Sequence, residues 1–461
     1  MEDFAHQTTD FEIAKNRKYY GLLWEQGCGK TRNAIKLAEN HFREGRITAC
    51  MVITTKGLVR NWSDIELPKH ASIPYDYDVW PNRQVTNTRN LYYWMVNIDA
   101  LLTDGYVKRI KEFMKTYPDF MTIIDESTVI KNPSAKRTRR AWRVGLLSKV
   151  RLIMTGLPTP HSPLDLYAQC KFLDINALGF KDFAAFKYRH ADIVMVLLGQ
   201  RAIPKIDGYK NLGELKEKLS KFTSIIRKEE CLTLPPTQQR IFPVPLTREQ
   251  RTYYNELRQE MITIIDNEVV DAANVISMIN KCLQLCSGQI KLKDGKYLDV
   301  PTDRLDVLEE LVEECPGQTI VWTAFVHNAT AIGTRFGKRA ILLPSGLNLD
   351  DRQDLLERFK SGDGKILVAN PASAGHGLTL TNCSNAIHYS RSYNFEHRSQ
   401  ADARIHRIGQ TNPCLYTDLC DPTTMEKNVI EVLLTRQGMS EFMLDRNFLR
   451  QMWDVKQEEY A

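Results

Sequence analysis

The sequence predicts an α/β protein of two lobes, each built on a parallel sheet, joined by a mostly helical insertion. Two regions alternate short apolar β-type runs with amphipathic helical stretches, the pattern of strands buried on both faces with right-handed helical crossovers between them. The stretch between them has a different periodicity. The length of 461 residues leaves room for about three units of roughly 150 residues each. The expected boundaries are 1–174 for the first lobe, 175–300 for the insertion and linker, and 301–461 for the second lobe with C-terminal helices.

In the first lobe the expected strands are Tyr19–Trp24, Ala49–Thr54, Trp94–Asn97, Phe120–Asp125 and Arg151–Thr155. A helix from Lys30 to Phe42 carries Ile35, Ala38 and Phe42 on one face. The insertion holds a hairpin-like stretch, VMVLLGQRAIPKIDGY, and a leucine-spaced helix from Leu212. A turn at Pro235–Pro236 and a long helical segment from Arg248 to Cys286 follow. In the second lobe Leu305, Leu308, Leu311 and Val312 form a helical stripe. Strands Thr319–Phe325, Ala340–Leu343, Lys365–Ala369 and Asn385–Ser390 then alternate with helices His327–Phe336, Asp350–Lys360 and Phe395–Arg407.

Composition excludes several classes. Hydrophobic residues at 43% and charged residues at 26% describe a globular chain and rule out disorder as its main state. No apolar run approaches the ~18 residues of a membrane span, and the N-terminus has no apolar signal core, so a cytoplasmic protein is expected. The net charge of +6 permits a polyanionic partner without requiring one. The ten cysteines form no CxxC pair, and Cys282 and Cys286 have no matching Cys/His pair elsewhere. Buried thiols in a reducing compartment are the expected reading, rather than zinc.

WEQGCGKT, Trp24 to Thr31, follows an expected strand and opens an expected helix. Gly27 and Gly29, flanking Cys28, allow backbone N–H groups to close around phosphate oxygens, and the helix N-terminus adds partial positive charge. Lys30 is placed to reach the β/γ-phosphates of ATP, and the Thr31 hydroxyl to bind Mg²⁺. The strand MTIIDE ends in two carboxylates, Asp125 to hold Mg²⁺ and Glu126 to position or deprotonate the attacking water. In the second lobe QADARIHRIGQ places Arg404 and Arg407 three apart on an expected helix, which suits two arginine fingers.

The order of these motifs resembles the SWI/SNF-type ATPases, the superfamily-two DNA translocases. His6–Gln7 is similar to their upstream glutamine motif. WEQGCGKT resembles DEMGLGKT, which also lacks the first glycine. VITTKGLVRNWSDIE, IIDESTVIKNPSAKR, MTGLPTPHSPLDLYAQCKFLD, SAGHGLTLTNCS and YNFEHRSQADARIHRIGQ follow in the family's order. The resemblance implies two RecA-like lobes, adenine contact by Gln7, ATP and Mg²⁺ as cofactors, and duplex or branched DNA as partner. It implies catalytic roles for Lys30, Asp125, Glu126, Arg404 and Arg407. Two departures bear on coupling between ATP and DNA: DEST at Asp125–Thr128 where the family has DEAH or DEGH, and Gly156–Leu157–Pro158 where it has Gly-Thr-Pro. With no segment resembling a chromodomain, bromodomain or finger, a minimal microbial or viral motor is expected.

A translocase grips phosphates rather than bases. The expected DNA contacts are Lys56 and Asn61, then Lys131, Lys136, Arg139 and Arg140, with Arg143 on the same helical face. In the second lobe they are Ser373 and His376, with Arg352, Asn394 and Arg398 as further candidates. The expected activity is ATP-dependent translocation on double-stranded DNA that remodels DNA structures or protein–DNA complexes. The chain is expected to act as a monomer, with protein partners drawn from replication, recombination or transcription. The alternative is a strand-separating or strand-annealing helicase on forks or branched DNA. A third reading, an inactive clamp, is disfavoured because every catalytic position is intact. The hairpin turn LGQRAIPK is polar and basic, unlike a wedge that pries bases apart.

Overall fold

The computed structural model describes residues 3–82, 88–103, 105–198, 201–266, 272–292, 296–374 and 378–434. The chain forms two compact units, Met1–Val194 with Ile206–Thr233, and Met195–Lys205 with Leu234–Ala461.

The first unit is built on strands β1 (Tyr19–Trp24), β2 (Ala49–Thr54), β3 (Tyr75–Val79), β4 (Leu91–Asn97), β5 (Phe120–Asp125) and β6 (Val150–Met154). A hairpin follows, β7 (Ala191–Leu198) and β8 (Arg201–Tyr209), and then β9 (Thr223–Ile226). All strands but the hairpin pair lie in one parallel sheet of order β3-β4-β2-β5-β6-β1-β9. Both faces are covered. Met51 and Ile53 of β2 join one buried cluster with Trp94, Phe113 and Ile124, whereas Cys50 and Val52 join the other with Leu22, Ile35 and Ala38. This alternation explains why β2 is apolar from Ala49 to Ile53.

The second unit contains β10 (Thr237–Pro243), the small antiparallel pair β11 (Gln289–Lys291) and β12 (Tyr297–Asp299), and then β13 (Thr319–Trp322), β14 (Ala340–Leu343), β15 (Ile366–Ala369), β16 (Asn385–His388) and β17 (Cys414–Cys420). Its parallel sheet has the order β10-β17-β16-β13-β15-β14. The segment 175–300 divides between the units: β9 and its flanking helices belong to the first, the β7–β8 hairpin is split between them at Val194 and Ile206, and β10 joins the second sheet as an edge strand. The helical segment Arg248 to Cys286 is described as two helices, Arg248–Asp266 and Ala272–Cys286.

Beneath the second sheet's C-terminal edge lies a buried ionic network. Arg398 pairs bidentately with Asp418 at 2.7 and 2.9 Å and reaches Asp402 at 2.7 Å. Asp402 also meets His388 at 2.9 Å, and Glu426 pairs with Arg304 and Arg391. Burial pushes the Asp418 carboxyl up, but the Arg398 guanidinium, with His388 and Arg391, holds it below the usual carboxylate range. The expectation that Arg398 contacts DNA is therefore corrected: it is buried and its charge is spent on two carboxylates. Asn394 caps the helix Phe395–Asp402 by accepting from the Glu396 and His397 amides.

Candidate active site

Adjacent parallel strands bring the expected groups of the first unit together. Asp125 at the end of β5 is in register with Met154 of β6, which is in register with Leu22 of β1. The loops leaving these three strands therefore emerge side by side at one sheet edge, where open parallel sheets hold ligands.

The loop after β1 is a tight cradle. Gly27 and Gly29 have φ of 89° and 81°, the left-handed region that glycine enters without strain. A Cβ on Gly29 would lie 2.2 Å from Gln7 Nε2 and would displace that amide from its bond to the loop. Gln7 is buried and donates from Nε2 to the Gly29 carbonyl at 3.1 Å, while its Oε1 accepts from the Phe4 amide at 3.0 Å. His6 Nε2 meets the Cys28 carbonyl at 2.9 Å. The N-terminal helix Ala5–Ala14 thus braces the loop from behind. Lys30 opens the helix Lys30–Arg43, and its buried ammonium donates to the Trp24 and Glu25 carbonyls at 2.9 and 3.2 Å. Thr31 sits next to it, half-buried.

Cys28 points away from the cradle and is fully buried, with its Sγ 3.6 Å from Cys231 Sγ. Burial pushes the Cys28 thiol up to about 12 and raises that of Cys231, so both stay protonated at neutral pH. Cys282 and Cys286 are buried thiols too, and no cluster of three metal-ligating side chains occurs among the described residues.

Asp125 is almost fully buried and accepts a 2.8 Å hydrogen bond from Trp62 Nε1. Burial, and then the neighbouring Glu126 charge, push the Asp125 carboxyl well above the ordinary carboxylate range. Glu126 adopts φ 56° and ψ 59°, a left-handed conformation that costs an L-residue about 1–2 kcal/mol. Its Oε2 accepts from the Thr155 hydroxyl at 3.3 Å. Next to Thr155, a Cβ on Gly156 would lie 2.5 Å from Gln26 Cγ, so the loop after β6 closes directly onto the glycine loop. Sequence reasoning quoted the segment VITTKGLVRNWSDIE and gave Asn61 a role in it, but gave Trp62 none. The available signal was a large buried-type residue in a polar stretch, RNWSDIE, shortly after the strand β2 that pairs with β5. Trp62 lies in a π-helical turn, Asn61–Glu66, a rare geometry found at functional sites.

These residues fit a nucleoside triphosphate with a divalent cation. The cradle turns on two left-handed glycines, Lys30 holds a charge against bare carbonyls, and the carboxylates of Asp125 and Glu126 lie at the end of β5, beyond β6 in the same sheet.

The basic surface is only partly as expected. In the helix Lys136–Leu147, Thr138, Ala141, Val144 and Gly145 are buried, while Lys136, Arg139 and Arg143 are exposed. Arg140 departs from this face. One of its guanidinium nitrogens donates to the Leu101 and Thr103 carbonyls, tying it to a neighbouring turn, and the side chain is half-buried. Lys131 is half-buried, and Asn132 folds back to accept from the Ser134 amide and hydroxyl. Lys56 is exposed, and Asn61 Nδ2 donates to Glu66 at 3.2 Å.

In the second unit the helix beginning at Phe395 ends at Asp402, so Arg404 and Arg407 do not share a helical face. They lie in the turns after it, where Gly409 takes φ 97°. They still converge, because both donate to the Leu378 carbonyl, at 3.2 and 2.8 Å. Ser373 lies in the short helix Pro371–Ala374, and its side chain is outside the described set; His376, with Gly375 and Gly377, lies outside the described residues.

A parallel-sheet unit with a glycine-loop cradle and an acidic strand end, followed by a second parallel-sheet unit bearing paired arginines, is the arrangement of a nucleotide-hydrolysing enzyme of two RecA-like lobes. Residues 13–289 match the SNF2-related domain and residues 303–409 the helicase conserved C-terminal domain. The chain belongs to the SNF2-related family and is a DNA-dependent ATPase of helicase superfamily two. It is 24% identical over 454 residues to a protein p41 of Acyrthosiphon pisum secondary endosymbiont phage 1, covering 94% of this chain and 95% of that one. It is 25% identical to an uncharacterized ATP-dependent helicase of Mycoplasma pneumoniae, covering 92% of this chain and 40% of that one. It is 23% identical to the Drosophila melanogaster SWI/SNF-related matrix-associated actin-dependent regulator of chromatin subfamily A-like protein 1, covering 94% and 54%. The chain thus spans about half of these cellular relatives and nearly all of the phage protein. Among solved structures it is similar to the Sulfolobus solfataricus SWI2/SNF2 ATPase core in complex with dsDNA, at 22% identity and TM-score 0.43, covering 99% of this chain and 98% of that one. No helix among the described residues is long and apolar enough to cross a membrane.

Proposed function

We propose that the protein is an ATP-driven translocase on double-stranded DNA, which moves along the backbone and remodels DNA structures or protein–DNA complexes. The observation that carries this reading is the convergence of Lys30, Asp125 and Glu126 at the ends of neighbouring parallel strands. Family membership and the exposed Lys136, Arg139 and Arg143 beside the acidic motif support the choice of DNA.

In this reading Lys30 exchanges its two carbonyl partners for phosphate oxygens, and the glycine-loop amides complete the cradle. Gln7 serves the nucleotide through the loop it braces. Thr31 and Asp125 hold Mg²⁺, directly or through water, and the ion neutralises charge on the phosphates when bound. The raised Asp125 carboxyl is suited to this, since a cation at that point restores the ionised form. Glu126 orients the attacking water and takes its proton. Arg404 and Arg407 supply guanidinium charge to the transferred phosphoryl group. Lys56, Asn61, Lys131, Lys136 and Arg139 contact DNA from the first unit, and Ser373 and His376 from the second.

ATP turnover measured with duplex DNA, single-stranded DNA and RNA side by side tests the proposal. Duplex DNA is expected to stimulate most. Lys30→Ala abolishes turnover, and Glu126→Gln leaves nucleotide binding but stops hydrolysis. Near-normal turnover in either variant sinks the site assignment, and stimulation by RNA alone sinks the choice of DNA.

A further inference from the structure

Glu126 carries its reactive carboxylate on a strained backbone, and strain of that kind persists only where neighbouring contacts over-determine it. The contact through its own side chain, to Thr155, is long at 3.3 Å. The residue that follows it is held far more firmly. Ser127 is fully buried and its hydroxyl donates to Gln169 Oε1 at 2.6 Å. Gln169, also fully buried, uses its Nε2 to donate to the Pro158 carbonyl at 2.7 Å and the Asp165 carbonyl at 2.9 Å. Its orientation is fixed by chemistry, because a flipped amide would set its oxygen against two carbonyls.

We propose that Gln169 is a positioning residue for the catalytic carboxylate, acting through Ser127 to hold Glu126 in its left-handed conformation and to join it to the 155–165 loop. This rests on the proposed role of Glu126 as the group that handles the water. The loop so joined is itself ordered, since Asp165 Oδ2 accepts from the His161 and Ser162 amides. The same loop begins with Thr155, which touches Glu126, and Gly156, which touches the glycine loop at Gln26. One buried amide therefore closes a ring: Glu126, Ser127, Gln169, Pro158, back along the chain to Thr155 and Glu126. Displacing a loop at Pro158 pulls on the carboxylate through two short hydrogen bonds. The hydrogen bonds of Gln169 go to Ser127 and to the Pro158 and Asp165 carbonyls, none of them in the glycine cradle, so its loss is expected to act on hydrolysis rather than on ATP binding.

The test uses the full chain with saturating duplex DNA, and variants Ser127→Ala, Gln169→Met and both together. Each single change is expected to lower kcat about 10-fold, equivalent to about 1.4 kcal/mol, with KM for ATP within about 2-fold of the parent. The double variant falls no further than the worse single one, because both break one link. Thermal unfolding of each variant is followed alongside, with the midpoint expected near that of the parent. Unchanged kcat in either single variant, losses that multiply, or a loss that appears equally in KM overturns the proposal. So does a loss accompanied by early unfolding, which makes Gln169 a packing residue. The parent chain and Glu126→Gln are the controls. If the parent does not turn over ATP, or Glu126→Gln retains turnover, the site assignment fails and this inference falls with it. With both controls as expected, normal kcat in Gln169→Met overturns the inference alone.

Discussion

Removing the indole N–H of Trp62 would leave the buried Asp125 carboxylate without its hydrogen-bond donor while keeping a ring in the same space. Groups that orient a metal-holding carboxylate typically change metal affinity 10–100-fold when removed. Trp62→Phe is therefore expected to raise the Mg²⁺ concentration needed for half-maximal ATP turnover by about 10-fold, with a much smaller loss at saturating Mg²⁺. A Mg²⁺ titration checks this, and an unchanged midpoint would reduce Trp62 to a packing role. Arg404 and Arg407 belong to a different class of effect. Their charge matters where phosphoryl charge develops, so either alanine variant is expected to lower kcat by about 10³-fold with little change in ATP affinity. A change mainly in KM would place them on the ground-state nucleotide instead.

At the scale of elements, the helix Lys136–Leu147 separates structural from available charge. Its buried face fixes it, Arg140 is tied to a neighbouring turn, and Lys136, Arg139 and Arg143 remain exposed. Each phosphate neutralised on duplex DNA contributes about −0.9 to the slope of log K against log[salt]. Replacing these three residues with alanine is expected to flatten that slope by about 2–3 and to weaken binding equally for all sequences. An unchanged slope would mean that the face is merely solvated. The central strands were legible because burial on both faces leaves an uninterrupted apolar run, as in Tyr19–Trp24 and Phe120–Asp125. The edge strands β3, β9 and β10 were not, because an edge tolerates polar residues such as the two aspartates of YDYDV and the TQQR of β10. The chemistry of the site was legible as residue types at spacings. Its supports, Trp62, Thr155, Ser127 and Gln169, come from distant positions and have no local pattern. Arg398 was misread for a related reason: sequence shows a charge but not the carboxylates that consume it.

For the whole molecule the sharpest expectation is translocation without strand separation. A motor that follows a backbone needs charge along its track, whereas one that splits a duplex also needs an apolar wedge set where the strands part. The β7–β8 hairpin exposes Ile193, Val194 and Met195 in the middle of its first strand, and its turn, whose Gly199 and Gln200 lie outside the described residues, is read from the sequence as polar and basic, LGQRAIPK. A polar and basic turn is better suited to gripping backbone than to prying bases apart. The expected behaviour is ATP-dependent displacement of a third strand from a triplex, with no separation of a plain forked duplex. Branch movement and annealing remain compatible, because tracking one strand of a reforming duplex gives net rewinding. The two substrates, assayed in parallel with and without ATP, decide the matter. High-yield fork separation without triplex displacement would favour the strand-separating helicase. ATP hydrolysis with neither product would mean that DEST, even tied through Ser127 to the 155–165 loop, does not pass the hydrolysis step on to DNA.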